Sequence, residues 1–403
     1  MEHVDIAVVG AGLAGSLAAL ALADSGLSVA LVAPASGHTD GRTTALMEHS
    51  IGFIRDLGLW EALKPHTAPL ATMRIVDGTE RLLRAPVVTF HASEIGLSAF
   101  GYNIPNTAFL SLLDGEIRKR SSLQRMETTL EGLSFNNHKA ILALGDGTAF
   151  SADLVVGADG RRSKVRDAAG IEVRNWSYPQ TAVVLNFSHS LPHQNISTEF
   201  HTASGPFTQV PLPGLHSSLV WVQKPKDAEA TLALSPEELS RAVEDRMQSM
   251  LGKVSVDAGA QSFPLSGMTA HAFGKGRVVL LGEAAHAFPP IGAQGLNLSL
   301  RDAMTLVSLL GESKGQPLPA DFGDRYGRKR RPDILSRTAS VDLLNRSLLS
   351  DFLPTQLLRA AGLQMLASAG PLRSLVMREG LHPGSALRAF GNGLRERIGR
   401  QRA

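Results

Sequence analysis

Val4-Asp5-Ile6-Ala7-Val8-Val9, then Gly10-Ala11-Gly12-Leu13-Ala14-Gly15, then an Ala/Leu-rich run to Asp24, decide the architecture of this chain. Val4 to Val9 is a short apolar run closed by a glycine cluster, which predicts a buried strand. Leu13 to Asp24 predicts a helix that stops near Gly26, and Ser28 to Val32 predicts the next strand. This βαβ unit implies a parallel sheet with helices on its faces. Gly10 permits the tight turn, Gly12 lets backbone approach a pyrophosphate, and Gly15 lets helix and strand pack closely. At Leu13 and Ala14 the helix N-terminus offers free N–H groups and partial positive charge to phosphates. About 20 positions on, such units usually carry an acid for the ribose hydroxyls. Here Ala33-Pro34 stands in that place, so backbone, water or Asp40 must hold the adenosine ribose.

Ile6 to Ala23 carries no charge and could be mistaken for a membrane span or a signal peptide. Glu2 and Asp5 precede it where a signal needs positive charge, and its glycines already have an explanation. The 403 residues suffice for two or three domains with a sizeable core. A net charge of only +3 argues against a nucleic-acid partner, which calls for base concentrated on one face. The absence of cysteine removes disulfides, thiolate catalysis and iron–sulfur or Cys–zinc sites, and no metal is expected.

Further along, Met73 to Phe90 and Thr181 to Val222 are rich in Val, Thr and Phe and broken by Gly and Pro. They predict antiparallel strands of a second layer, with a helix over Leu239 to Leu251. Asp146-Gly147 between two apolar runs predicts a hairpin. Arg277 to Leu281 predicts another buried strand and Leu296 to Leu310 a helix, and from Val341 the chain is expected to be helical. The fold class is therefore α/β, with a Rossmann-like domain and a mostly antiparallel β-rich domain. The expected boundaries are 1–70, 91–180 and 272–345 for the first, 71–90 and 181–271 for the second, and 346–403 for a C-terminal helical region.

Two more motifs stand out. Asp153-Leu154-Val155-Val156-Gly157-Ala158-Asp159-Gly160 precedes Ser163, Val165 and Arg166. Gly276 to His286 contains Gly282-Glu283, and Pro289-Pro290-Ile291-Gly292-Ala293-Gln294-Gly295-Leu296-Asn297 and Arg301-Asp302-Ala303 follow. Physically, a buried strand delivers a carboxylate to a ligand, and a Pro/Gly loop exposes N–H groups where a helix starts. In this order and spacing the three motifs closely resemble the class A flavoprotein monooxygenases, and within them the ubiquinone-biosynthesis hydroxylases.

The resemblance spans roughly residues 4 to 385 and implies FAD as cofactor with NAD(P)H as co-substrate. It implies that Gly10, Gly12, Leu13, Ala14 and Gly15 meet the pyrophosphate, that Arg42 lies along the FAD, and that Asp159 serves both cofactors. Gly282 and Glu283 fall where the family usually has Gly-Asp facing the ribityl chain, and the extra methylene of Glu283 changes its reach. Pro290, Gly292, Ala293, Gln294, Gly295, Leu296 and Asn297 match the loop over the isoalloxazine ring, and His286 fits a packed role better than a catalytic one.

By the same resemblance, NAD(P)H reduces the flavin, O2 adds to give a C4a-hydroperoxide, and its distal oxygen attacks an electron-rich aromatic carbon. The hard step belongs to the cofactor, so the protein supplies orientation, electrostatics and exclusion of water. Phe200, Phe207, Pro211 and Leu212 are expected near an apolar substrate pocket, and ordinary sheet core is an equal reading of them. His201 and Tyr102 are the candidate phenol bases. Leu357, Ala361, Met365 and Ala369 make an apolar helical face followed by an Arg-rich tail. It either packs on the first domain or rests on an anionic membrane, which would put the protein in the cytoplasm and peripherally on the inner membrane. The leading substrate is a polyprenylated phenol. The alternatives are a soluble aromatic or polyketide substrate, and a non-catalytic flavin-bearing scaffold in a biosynthetic complex. A homo-oligomer is left open. A flavin halogenase is disfavoured, because Trp221-Val222-Gln223-Lys224 does not match that group's Trp-x-Trp-x-Ile-Pro signature.

Overall fold

A computed structural model describes residues 2–35, 40–79, 86–136, 139–257, 259–290, 294–313, 315–349, 373–374 and 377. The opening unit forms β1 (Glu2–Val9), α1 (Leu13–Asp24) and β2 (Val29–Val32). Gly15 to Ala23 are all buried in α1. Helices Asn106–Lys119 and Gln294–Glu312 both pack against α1, which explains why it is apolar all round. An eight-stranded sheet runs Gly274–Lys275, Val278–Leu280, Ala149–Gly157, β1, β2 and Leu123–Met126, with two further antiparallel strands, one paired with Ala149–Gly157 and the other with that partner. One of these is Ala140–Leu144, which closes the Asp146-Gly147 hairpin. Register sets Val9 beside Gly157 and Gly157 beside Leu280, all in parallel pairs. Three strand ends therefore meet at the carboxyl edge, where ligands bind in open α/β sheets.

A nine-stranded sheet forms the second layer, from strands within 72–91, 173–270 and 286–287. It is antiparallel except where Ile196–Thr202 runs alongside Thr72–Asp77. One face packs Val183, Leu185, Phe187 and Leu219 against Leu239 and Val243 of helix Pro236–Arg246 and against Met247 at its C-cap. That helix begins and ends earlier than the expected Leu239 to Leu251. Ser235 and Glu238 build a capping box at its start, and Gln248 and Ser249 leave helical geometry with positive φ at its end. Strand Val173–His189 begins eight residues ahead of the expected Thr181, with Trp176 lying across Gly267. Among the described residues the last long helix is Phe322–Leu349, which starts well ahead of Val341. Pro332 inside it masks the helix in the sequence, while buried Phe322, Tyr326 and Ile334 hold it to the core. Of the C-terminal region 346–403, nearly all lies outside the described residues, including the expected apolar face 357–369.

Candidate active site

The three motifs converge at one carboxyl edge. Ala158 N–H donates to Val9 O at 2.8 Å, and Leu281 N–H to Gly157 O at 2.8 Å. A Cβ on Gly10, whose φ is +106°, would lie 2.2 Å from Ala158 O. One on Gly15 would lie 2.0 Å from Gly10 O. Gly12 differs: a Cβ there would meet nothing within 4 Å, and it is exposed at the N-cap of α1 with no side-chain cap. Two glycines thus serve packing, and the third opens the helix N-terminus, with half-buried Leu13 and Ala14 behind it, onto free space. That space, bare of side chains and faced by uncapped N–H groups, fits a pyrophosphate. Gly282 completes the edge, since a Cβ there would lie 2.9 Å from Ser299 Oγ and 3.7 Å from Ala14 Cβ.

Charged side chains rim the opening. Arg42 Nε and Nη2 clasp Asp40 at 2.8 and 2.9 Å, and Asn106 Nδ2 donates to the same carboxylate at 2.9 Å. Burial works against the Asp40 charge, yet Arg42 and Asn106 outweigh it and hold the carboxyl below its ordinary range. Asp40 itself pushes the Arg42 guanidinium up, and Glu283 adds attraction. Asp40 is therefore committed to Arg42 and not free for a ribose. Glu283 is exposed, 3.5 Å from Arg161. At the end of β2, Ala33 is buried, and Arg125 Nη2 donates to Pro34 O at 3.1 Å, so a cation stands where the acid was missing.

Asp159 turns its carboxylate onto its own loop. Its oxygens accept from Ser163 Oγ and, at 3.2 Å, from Val165 N–H. Its backbone, rather than its side chain, lies against the Gly10 turn. Asn297 is spent similarly: it accepts from Met47 N–H and Ser50 Oγ and donates to Ala45 O, all within 2.9 Å. This pins helix Gln294–Glu312 to strand Thr43–Met47. Gln294 and Leu296 are half-buried at the start of that helix, Gly295 and Pro290 are exposed, and Gly292 and Ala293 lie outside the described residues.

Behind the Gly282 turn is a network whose extent the sequence did not disclose. Wholly buried Asp302 pairs with His286 Nε2 at 2.7 Å, accepts from Gly282 N–H at 3.1 Å and binds Arg330 Nε at 2.8 Å. Burial pushes the Asp302 carboxyl up, but His286 and Arg330 overcome it and hold it down. His286 is inaccessible in this network. Only the Arg301-Asp302-Ala303 triplet hinted at it.

Strand parity divides the expected pocket residues between the two faces of the second layer. Asn186 Nδ2 donates to Gly41 O at 3.0 Å, and Thr43 Oγ1 pairs with Ser218 Oγ at 2.9 Å. The sheet face bearing Asn186 and Ser218 therefore looks toward the Arg42 segment. Register extends that face through Val184, Val220, Thr208 and Glu199, then Ala182, Val222, Pro206 and His201. Phe200 and Phe207 are on the opposite face. Phe207 packs edge-on to Trp221 and Phe200, with ring centroids 5.2 and 5.8 Å away, beneath helix Pro236–Arg246. The cause is the two-residue period of a strand, which sends alternate neighbours to opposite sides. Pro211 shares the parity of Phe207, and its carbonyl accepts from Asn103 Nδ2 at 2.9 Å. Leu212 has the inward parity and is buried. Tyr102 is not brought to this face, because it packs edge-on against Trp60 at 5.0 Å. His201 is on it, with Nε2 2.8 Å from Glu199 Oε1.

Comparison with known proteins agrees with this geometry. A family model described as an FAD binding domain matches residues 3–336. The ubiquinone hydroxylase UbiL of Rhodospirillum rubrum is 33% identical, over 94% of this chain and 89% of that protein. The 3-demethoxyubiquinol 3-hydroxylase of Escherichia coli is 28% identical, over 94% of this chain and 99% of the relative. In fold, the chain resembles p-nitrophenol 4-monooxygenase PnpA of Pseudomonas putida, with a TM-score of 0.77 at 20% identity, covering 94% of this chain and 97% of that one. Strand ends, glycine contacts and relatives thus agree that this chain belongs to the FAD-binding-domain family and is a flavoprotein monooxygenase.

Proposed function

We propose that the chain is an NAD(P)H-dependent FAD hydroxylase acting on a polyprenylated phenol of ubiquinone assembly. The observations that carry this are a bare, uncapped helix N-terminus at Gly12 and a half-exposed apolar strip, Val184, Val210 and Val220, on the sheet face turned toward the Arg42 segment. Two hydroxylases similar in sequence are named for ubiquinone and for 3-demethoxyubiquinol, which favours a lipid-borne substrate over a soluble one.

When bound, FAD supplies the redox chemistry, accepting a hydride from NAD(P)H and delivering one oxygen atom of O2 to the ring. The chain's residues hold and shield it. The N–H groups at Leu13 and Ala14 neutralise the pyrophosphate, with Arg42 and Glu283 bordering the entrance. The start of helix Gln294–Glu312 offers partial positive charge to the reduced ring, about 0.3–1 kcal/mol when exposed and up to about 2 when partly buried. Val184, Val210 and Val220 exclude water and receive the aromatic substrate. Among the described residues no helix is long and apolar enough to cross a membrane, and we propose peripheral contact with the bilayer that stores the substrate.

The test is direct. Reconstituted protein should bind FAD and turn yellow, and 2-geranylphenol should accelerate its oxidation of NADPH or NADH with hydroxylated product formed. FAD-loaded protein whose NAD(P)H oxidation no prenylated phenol accelerates would refute the reading.

A further inference from the structure

We propose that His201, oriented by Glu199, accepts the proton of the substrate's phenolic hydroxyl. The inference rests on the hydroxylase reading above and adds a residue role to it. His201 and Glu199 alternate with Phe200 along strand Ile196–Thr202, so both point to the face opposite the aromatic core. On that face they adjoin the strip Val184, Val220 and Val222 through Thr208 and Pro206.

His201 Nε2 is 2.8 Å from Glu199 Oε1, and Thr208 Oγ1 donates to Glu199 Oε2 at 3.3 Å. A carboxylate can only accept, so Nε2 carries a hydrogen, and in the neutral imidazole the lone pair is then on Nδ1. Among the described residues Nδ1 has no side-chain or backbone partner, and it is not among the buried polar atoms left without one. It is therefore open to a ligand. Among the described residues the titratable group in register with it is Asp77 on strand Thr72–Asp77, whose Oδ1 accepts from Thr79.

In the step itself the substrate O–H bond breaks and its proton passes to Nδ1. The electron pair stays on oxygen as phenolate, which makes the ring more nucleophilic toward the incoming oxygen atom. Glu199 stabilises the imidazolium as a positioning residue, and the proton returns to water after turnover.

The experiment uses the FAD-loaded full chain with 2-geranylphenol and its methyl ether, which has no proton to give. His201→Asn should lower kcat for the phenol about 100-fold. The ether should change by less than about 2-fold. Glu199→Gln should lower kcat about 10-fold with KM little changed. Equal losses on phenol and ether overturn the inference and leave the hydroxylase reading standing. A wild-type chain that binds FAD but is accelerated by no prenylated phenol overturns both.

Discussion

The carboxyl edge of the first sheet and the inner face of the second do related jobs by opposite means. At the edge, function is built from the backbone: Gly10 and Gly15 could not carry a side chain, and Gly12 could carry one only by filling the space it leaves open. On the facing layer, function is built from side chains whose direction depends on strand parity, so Val220 looks inward while its neighbour Trp221 looks out. A backbone site tolerates almost no substitution. A side-chain face tolerates many and trades them for specificity.

The sharpest way to break this contrast lies within the glycines. Gly15→Val should prevent folding, because even its Cβ would lie 2.0 Å from Gly10 O, and soluble yield with circular dichroism reports it. Gly12→Ala should leave the melting temperature of the apoprotein nearly unchanged while weakening FAD binding at least 10-fold by flavin-fluorescence titration. Should it melt early instead, Gly12 serves packing and the contrast fails.

Next in size is the Asp302 network. Asp302→Asn leaves buried Arg330 with only Asp333, 2.7 Å from Nη1, as countercharge and strips His286 of its partner, so it should cost up to about 3–5 kcal/mol in denaturant unfolding. The sign with pH follows from the depressed carboxyl. Its contribution is present above the unfolded value of about 3.9 and fades as pH falls through the folded value. The advantage of wild type over Asp302→Asn should therefore start to narrow below about pH 4 and vanish as pH falls through the folded value, and a gap that does not narrow there contradicts the assignment.

On the second layer, Phe207→Ala should cost about 3–5 kcal/mol of stability and leave KM for the aromatic substrate nearly unchanged. Val220→Phe should do the reverse, shifting melting by less than about 1 kcal/mol while raising KM for long prenyl chains several-fold. If Phe207→Ala changes KM more than Val220→Phe does, the inward face has been misassigned.

How much was legible follows the same division. The βαβ unit, the hairpin at Asp146-Gly147 and the convergence of the motifs could be read from residue types, because glycine spacing and apolar runs are local signals. Which face Phe200 and Phe207 take could not. Both faces of that strand pair carry apolar residues, so alternation alone does not say which one meets helix Pro236–Arg246. Asp159 and Asn297 were legible as important, but not as groups spent on Ser163, Val165, Ala45, Met47 and Ser50.

By itself the sequence determined the strand–glycine–helix start, the family and the cofactor class, because these depend on backbone conformations only certain residues permit. Tertiary structure decided which polar side chains face the cleft and which brace it. It also put Arg125 at the end of β2, committed Asp40 to Arg42, and brought His286, Asp302 and Arg330 together from three separate segments. Partners distant in the chain are chosen by packing and by the need to pair buried charge, and no local pattern encodes that choice.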